Sequence, residues 1–302
     1  MSFYRLGRKE EGNVGSTFFM IALIILTFIF SQFAVQLIAM KGFGFSLIDP
    51  NADVNKNVVF ALLLAPFAAV FGVMRMAYPT LHKRPFLKLL TSRDKIDWKR
   101  IMFSFTVWMT LLGALLLLDV VLGSQLLFNL DIANFLVLLV LSTTLLVLQT
   151  SVEEVLFRGY LFQQLGKVFP ASWIGILITG TVFGLMHGSN PEIMELGKFF
   201  IVFYIVTGIF LGVITQMDGG LELSLGYHAA NNIFAAIIVT NDWQAFQTDA
   251  IFVSVSEPPQ IIEVLITLLI IQPLLLLLFA KKYKWKNWKD QLFSSKVLDD
   301  IG

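Results

Sequence analysis

The chain has 302 residues, is 57% hydrophobic and has a mean hydropathy of +0.77. Several apolar stretches of about 20 residues, the length of a membrane-crossing helix, exclude an ordinary soluble domain and predict an all-α, polytopic membrane helical bundle. The absence of cysteine excludes disulfides, cysteine nucleophiles and thiolate metal sites, and a formal net charge of +1 gives no electrostatic case for nucleic-acid binding.

Arg5, Arg8 and Lys9 precede a first span predicted at 17–40. That segment is too long for a removable signal peptide and has no small-residue cleavage site, so the mature chain is expected to start at Met1. Further spans are predicted at 57–78, 101–121, 132–152, 172–187, 199–217, 221–239 and 260–280, about eight in all, each helical because hydrocarbon tolerates no unsatisfied backbone group. Between the second and third, "LHKRPFLKLLTSRDKIDWKR" interleaves Phe86, Leu87, Leu89, Leu90, Ile96 and Trp98 with basic residues. Over about 79–100 a basic amphipathic helix at the interface and a plain cytoplasmic loop are both open readings. His82, in the same stretch, is expected at the surface. The segment "NDWQAFQTDAIFVSVSEPPQ" is expected to connect spans rather than to cover the outer mouth of the bundle.

Lysine and arginine crowd that basic loop and the C-terminal tail "KKYKWKNWKD", whereas 122–131 and 240–259 have none. Cytoplasmic loops retain positive charge, so both termini are expected in the cytoplasm, in a multi-pass protein of the plasma membrane. Tyr283, Trp285 and Trp288 among the tail lysines read as an interface anchor. With no internal repeat, low-complexity tract or soluble segment, residues 1–302 read as one integral membrane domain.

The stretch "SVEEVLFRGY" places Glu153, Glu154 and Arg158 at the end of the fourth apolar run. Charges inside a membrane helix cost roughly 2.5 to 3.5 kcal/mol each on insertion scales. Glu154 and Arg158, four apart, share a helix face and can neutralise each other. Glu153 points about 100° away and has no local cation. A solvated helix end at the water interface explains the stretch equally well on its own. The chain has three histidines, however, and two of them, His187 in "TVFGLMHG" and His228 in "GYHAANN", lie in apolar helices, the second with Asn232 four residues on. Each alone suits a structural histidine bonded to a carbonyl. Together with an unpaired Glu153 they suit a buried polar site.

These three segments read as EExxxR, FxxxH and HxxxN in that order, and the set resembles the CAAX-protease and bacteriocin-processing family, also called Abi or CPBP, of intramembrane glutamate proteases. The resemblance covers about residues 130–240, with every motif position filled. It implies a metal-free endopeptidase in which Glu153 activates a water, His187 orients or shares that water, and His228 and Asn232 donate to the oxyanion. Glu154 and Arg158 would hold the helix and Phe183 would pack beside the site. It implies no cofactor, a membrane-associated peptide or protein as substrate, and the lipid bilayer as surroundings. A carboxylate and two imidazoles can also ligate zinc, although the HExxH spacing is lacking. A scaffold or regulator that binds a membrane protein partner without cutting is a third reading. Transport is the weakest, since Pro273 marks a single kink rather than paired broken helices.

Depth constrains the arrangement. His187 lies about 22 Å along its helix from Ser172, so Glu153 comes level with it only if one helix runs from about Ile132 to Leu165, about 50 Å, before "KVFPAS" turns the chain back. A tilt or a re-entrant turn in 188–198, where Gly188 and Pro191 break the helix, must absorb the remainder.

Overall fold

Apolar segments in hydrocarbon satisfy their backbone groups internally only as helices, and the computed structural model, which describes residues 2–47, 54–256 and 261–294, is built largely from them. Eight helices occupy the predicted spans: α1 Val14–Phe43, α2 Lys56–His82, α3 Trp98–Val121, α4 Ile132–Val168, α5 Ser172–Met186, α6 Phe200–Asp218, α7 over 222–238 and α8 Ile261–Tyr283. Six are long and apolar enough to cross a membrane, which makes this a multi-pass integral membrane protein. The other two are short, because α5 has 15 residues and α7 is 12 residues of α-helix extended by a five-residue π turn. The expectation of eight spans thus becomes six full-length candidates among the described residues, together with two short helices that carry motif residues.

Short polar side chains set the helix starts. Asn13, Asn55, Asp97 and Asp131 each accept a backbone N–H of the first turn of α1, α2, α3 and α4, which satisfies donors that no preceding turn can reach. Phe169 and Pro170 end α4, and Gly219, with φ of 74°, ends α6 in the left-handed conformation that glycine adopts freely. Helix α4 is the single long rod that the depth argument requires, 37 residues from Ile132 to Val168. It is not uniform. Five-residue and seven-residue π turns interrupt it at Ser142–Leu146 and Val155–Leu161, the second containing Arg158. Such local widening of a helix is common at functional sites.

Packing joins the helices in pairs: α1 with α2, α3 with α7, α5 with α6, while α4 runs against both α2 and α7. Helices α5 and α6 meet at glycines. A Cβ on Gly180 would lie 2.8 Å from the backbone N of Ile209, and one on Gly184 would lie 2.6 Å from that of Ile205, so the GTVFG spacing lets α5 and α6 touch backbone to backbone. Gly226 does the same for α7 against α3, with Ile101 O 2.2 Å from where its Cβ would be. Large apolar side chains such as Phe18, Phe30 and Phe33 on α1 and Leu269 and Leu277 on α8 remain exposed, the faces a lipid bilayer covers.

Three departures from the sequence reading concern the ends of the bundle. The loop 241–260 does more than connect: β3 (Phe252–Ser254) pairs antiparallel with β1 (Leu126–Phe128) and parallel with β2 (Val239–Thr240), in the order β1-β3-β2. Residues 257–260 of that loop lie outside the described residues. Of the two readings left open for the basic stretch 79–100, the long interfacial helix is not found: between the end of α2 at His82 and the start of α3 at Trp98 the chain forms one four-residue helix, Leu87–Leu90. The stretch docks instead, with Thr91 bridging Gly220 while Arg93 and Arg100 both bond Asp218 and Arg93 also bonds Glu222. His82 is not a surface residue but fully buried, because the segment Phe3–Lys9 folds over it as a 3₁₀ helix followed by Glu10. Glu10 Oε2 lies 3.1 Å from His82 Nδ1, 2.8 Å from Lys167 Nζ and 2.7 Å from Gln164 Nε2, and Oε1 accepts from Tyr78 at 2.6 Å.

Candidate active site

Helix α4 carries both carboxylates of the first motif, one turn below Gln149. Glu154 and Arg158 are completely buried, with Nη1 donating to Glu154 Oε1 at 2.9 Å. The guanidinium also donates to the Gly208 carbonyl at 3.2 Å and stacks over the Phe183 ring at 4.2 Å. The helix spacing therefore brings together the pair it predicts, and a planar cation with several donors is the side chain that can serve all three partners at once.

Helix α7 brings His228 to the same carboxylate from the other side. Its Nδ1 lies 2.9 Å from Glu154 Oε1, and its Nε2 lies 3.6 Å from Glu153 Oε2. An ionised carboxylate only accepts, so Nδ1 carries the proton and Nε2 is the nitrogen turned towards Glu153. Glu153 itself is partly buried. Its Oε1 accepts from Gln149 Nε2, while Oε2 is shielded from solvent and has no hydrogen-bond partner among the described residues. A buried carboxylate oxygen left bare is costly; Glu154 Oε2 and Arg158 Nε beside it also have no hydrogen-bond partner among the described residues, and what sets Glu153 Oε2 apart is that it faces His228 Nε2.

His187 ends α5, and its Nδ1 lies 2.8 Å from the Phe183 carbonyl oxygen. A carbonyl only accepts, so this ring too holds its proton on Nδ1 and leaves Nε2 for other partners. Among the described residues no hydrogen bond or ion pair joins His187 to Glu153. The ring stacks on Tyr204 of α6 at 4.2 Å and 18°, and Phe183 lies tilted against it at 4.6 Å. The Phe183 ring stands between the elements, edge-on to His228 at 6.0 Å and beneath Arg158. The break expected in 188–198 is present as a 3₁₀ turn at His187–Ser189 and a six-residue helix at Pro191–Leu196.

Asn232 lies on the His228 face of α7 and donates to Gln149 Oε1 at 3.4 Å. Its own Oδ1 accepts from Asn231 at 3.3 Å, and Asn231 Oδ1 accepts from Trp108 Nε1 at 3.3 Å. Gln149, Tyr204, Asn231 and Trp108 are neighbours that the sequence reading did not single out. Gln149 was within reach of it, since four residues before Glu153 is one helical turn; Tyr204 and Trp108 belong to other helices and carry no local signal. Among the described residues no three His, Cys, Asp or Glu side chains form a group that could hold a metal ion.

Comparison with known proteins bears on the same region. Residues 133–234 match the family described as Type II CAAX prenyl endopeptidase Rce1-like, a span that contains all three motifs. A relative from Bacillus subtilis (strain 168), which bears the name Uncharacterized protein YyaK, is 34% identical over 196 residues, 64% of this chain and 64% of the relative. The chain thus spans less than two thirds of that relative's length. No solved structure matches it.

Proposed function

We propose, on the match of residues 133–234 to the family described as Type II CAAX prenyl endopeptidase Rce1-like, that the chain hydrolyses a peptide bond of a membrane-associated peptide or protein, with a water activated by Glu153. The observation that carries this reading is the bare, buried Glu153 Oε2 facing His228 Nε2 at 3.6 Å. A general base must reach its water directly, and a water seated beside Oε2 reaches the imidazole as well. Glu153 takes the proton as the water attacks the scissile carbonyl, which gives a tetrahedral intermediate with negative charge on oxygen.

Two donors suit that charge. Asn232 Nδ2 has two N–H groups, one committed to Gln149 and the other available. His228, held at Nδ1 by Glu154, turns Nε2 to the same space and donates from it once that nitrogen has taken up a proton. Donors of this kind typically contribute ~10²–10³ in rate. His187, with its Nδ1 proton fixed on Phe183 O, offers Nε2 to orient the attacking water or to pass the proton to the leaving amine. Glu154 and Arg158 hold His228 and the helix without entering the chemistry. No metal takes part in this scheme. The substrate is a peptide that reaches the bundle within the bilayer, and a prenylated C-terminal segment is the class that the family description names.

Both termini are placed in the cytoplasm of a plasma-membrane protein by this reading. The charge bias supports it, and so does Gln216, whose amide binds Ser2 Oγ at 2.7 Å and Gln291 O at 2.9 Å and so draws the two terminal segments to one end of the bundle.

The test is a comparison of membrane peptidomes from cells carrying the native chain and Glu153→Gln, which removes the base and preserves size. Peptides that accumulate uncut only with Glu153→Gln identify the substrate. Identical profiles, together with an unimpaired cellular role for the variant, turn the reading to a non-cutting scaffold.

A further inference from the structure

We propose that Gln149, Asn231 and Trp108 are positioning residues for the base: a directional chain of hydrogen bonds, Trp108 to Asn231 to Asn232 to Gln149 to Glu153, aims the Glu153 carboxylate. The proposal rests on the endopeptidase reading for its chemical meaning, but its geometry stands by itself.

The chain draws on three helices. Trp108 lies in α3, Asn231 and Asn232 in α7, Gln149 and Glu153 in α4. Its links are Trp108 Nε1 to Asn231 Oδ1 at 3.3 Å, Asn231 Nδ2 to Asn232 Oδ1 at 3.3 Å, Asn232 Nδ2 to Gln149 Oε1 at 3.4 Å, and Gln149 Nε2 to Glu153 Oε1. Each amide receives through its oxygen and gives through its nitrogen. That order is forced at both ends, because an indole N–H can only donate and a carboxylate can only accept. Reversing any one amide would set donor against donor or acceptor against acceptor. Bonds aligned in this way polarise one another, and Trp108 and Gln149 are both buried, where the effect is not diluted by water.

Two consequences follow for the site. Occupation of Oε1 by Gln149 fixes the carboxylate plane and leaves Oε2 as the oxygen turned to His228 and to a water. Commitment of one Asn232 N–H to Gln149 fixes the direction of the other. A single amide, Gln149, therefore couples the orientation of the base to that of the proposed oxyanion donor. Trp108 is anchored in turn by stacking on Tyr227 at 4.4 Å and 27°.

The variants that separate this from general packing are Gln149→Leu, which keeps the volume and removes both bonds, and Trp108→Phe, which keeps an aromatic ring on Tyr227 and removes only the first donor. Isotope-edited infrared difference spectra of native protein minus Glu153→Gln read the Glu153 carboxyl band and need no substrate. Gln149→Leu is expected to move that band, Trp108→Phe to move it the same way by less, and the double variant to match Gln149→Leu, since the chain is already cut. A band at the native position in Gln149→Leu, or shifts that add in the double variant, overturns the proposal. In proteoliposomes with an internally quenched peptide ending in a farnesylated Cys-aliphatic-aliphatic-X sequence, Gln149→Leu is expected to lower kcat ~10-fold to 100-fold with KM within about twofold. Native kcat in Gln149→Leu beside an inactive Glu153→Gln overturns the positioning role alone. Cleavage by Glu153→Gln at the native rate sinks the reading of Glu153 as the base and leaves the infrared result to decide the positioning role.

Discussion

Arg158 tests the claim that the first motif is partly a buried ion pair. Its guanidinium is wholly inaccessible to solvent and holds Glu154 Oε1 at 2.9 Å, the Gly208 carbonyl at 3.2 Å and the face of Phe183 at 4.2 Å. Arg158→Met keeps the aliphatic stem and removes the charge, so Glu154 remains buried with His228 at 2.9 Å and the Ser224 hydroxyl as neutral company. Breaking a buried pair by removing one member costs about 3–5 kcal/mol, chiefly because the surviving charge is uncompensated. Lost stacking and the carbonyl bond overlap with that figure rather than adding to it. Removing both charges in Glu154→Leu/Arg158→Met takes away the uncompensated carboxylate and leaves only His228 Nδ1 without its acceptor, a penalty of about 1–3 kcal/mol. The double variant is therefore expected to be more stable than Arg158→Met alone. Reversible unfolding in mixed micelles, followed by circular dichroism as denaturing detergent is titrated in, measures the three stabilities. An Arg158→Met protein within about 1 kcal/mol of native, or a double variant less stable than the single, would refute the reasoning.

Three further expectations follow from other parts of the fold. In Gly184→Ala the added Cβ sits 2.6 Å from Ile205 N and 2.7 Å from Ile205 Cα, which are backbone atoms that cannot turn aside, so α5 and α6 must part and carry His187 from its site. A loss of about 1–3 kcal/mol is expected with impaired cleavage, and an unchanged melting temperature would contradict it. Burial pushes the Glu10 carboxyl up, but hydrogen bonds from His82, Gln164, Lys167 and Tyr78 together prevail and hold it at about 2. A carboxyl lowered on folding stabilises above its unfolded value of ~4.3 and ceases to do so as pH falls through the folded one. Hydrogen exchange over residues 3–9, corrected for intrinsic rates, should stay slow at neutral pH and quicken only as pH falls towards about 2, whereas Glu10→Gln should be fast already at neutral pH. Prolonged dialysis against a metal chelator should leave peptide cleavage unchanged, and a loss restored by added zinc would return the site to the metal reading.

What the sequence made legible was whatever lies along one helix. The predicted spans fall on helices because hydrocarbon leaves the backbone no other choice, although six of those helices are full-length membrane candidates among the described residues, and Glu154 meets Arg158 because residues four apart share a face. The same rule would have paired Gln149 with Glu153. Contacts between helices had no such rule. The meeting of His228 with Glu154 joins residues 74 apart, and the stacking of Tyr204 on His187 depends on how closely Gly180 and Gly184 let α6 approach α5. His82 was misread for a related reason. Basic neighbours in sequence mark a polar loop, but the N-terminal segment that buries His82 supplies Glu10 from 72 positions away, and hydropathy patterns contain no trace of that fold-back.

The polar groups of this site also differ in kind, and the difference follows from where each sits. The fully buried carboxylate is neutralised by a cation on its own helix, which keeps the cost of insertion local. Glu153, less buried and closer to the proposed chemistry, is held by a neutral amide instead. Glu154 Oε2 also has no hydrogen-bond partner among the described residues, so the difference is one of charge: a guanidinium beside Glu153 would favour the ionised carboxylate and weaken it as a base. An amide orients one oxygen and leaves the other open. The placement of Arg158 opposite Glu154 and of Gln149 opposite Glu153 thus separates holding the helix from working on a water, one residue apart. Exchanging the roles gives a direct check: Gln149→Arg is expected to abolish cleavage in protein that keeps its native circular dichroism, and a Gln149→Arg protein that still cleaves at the native rate would remove the reason for distinguishing the two carboxylates.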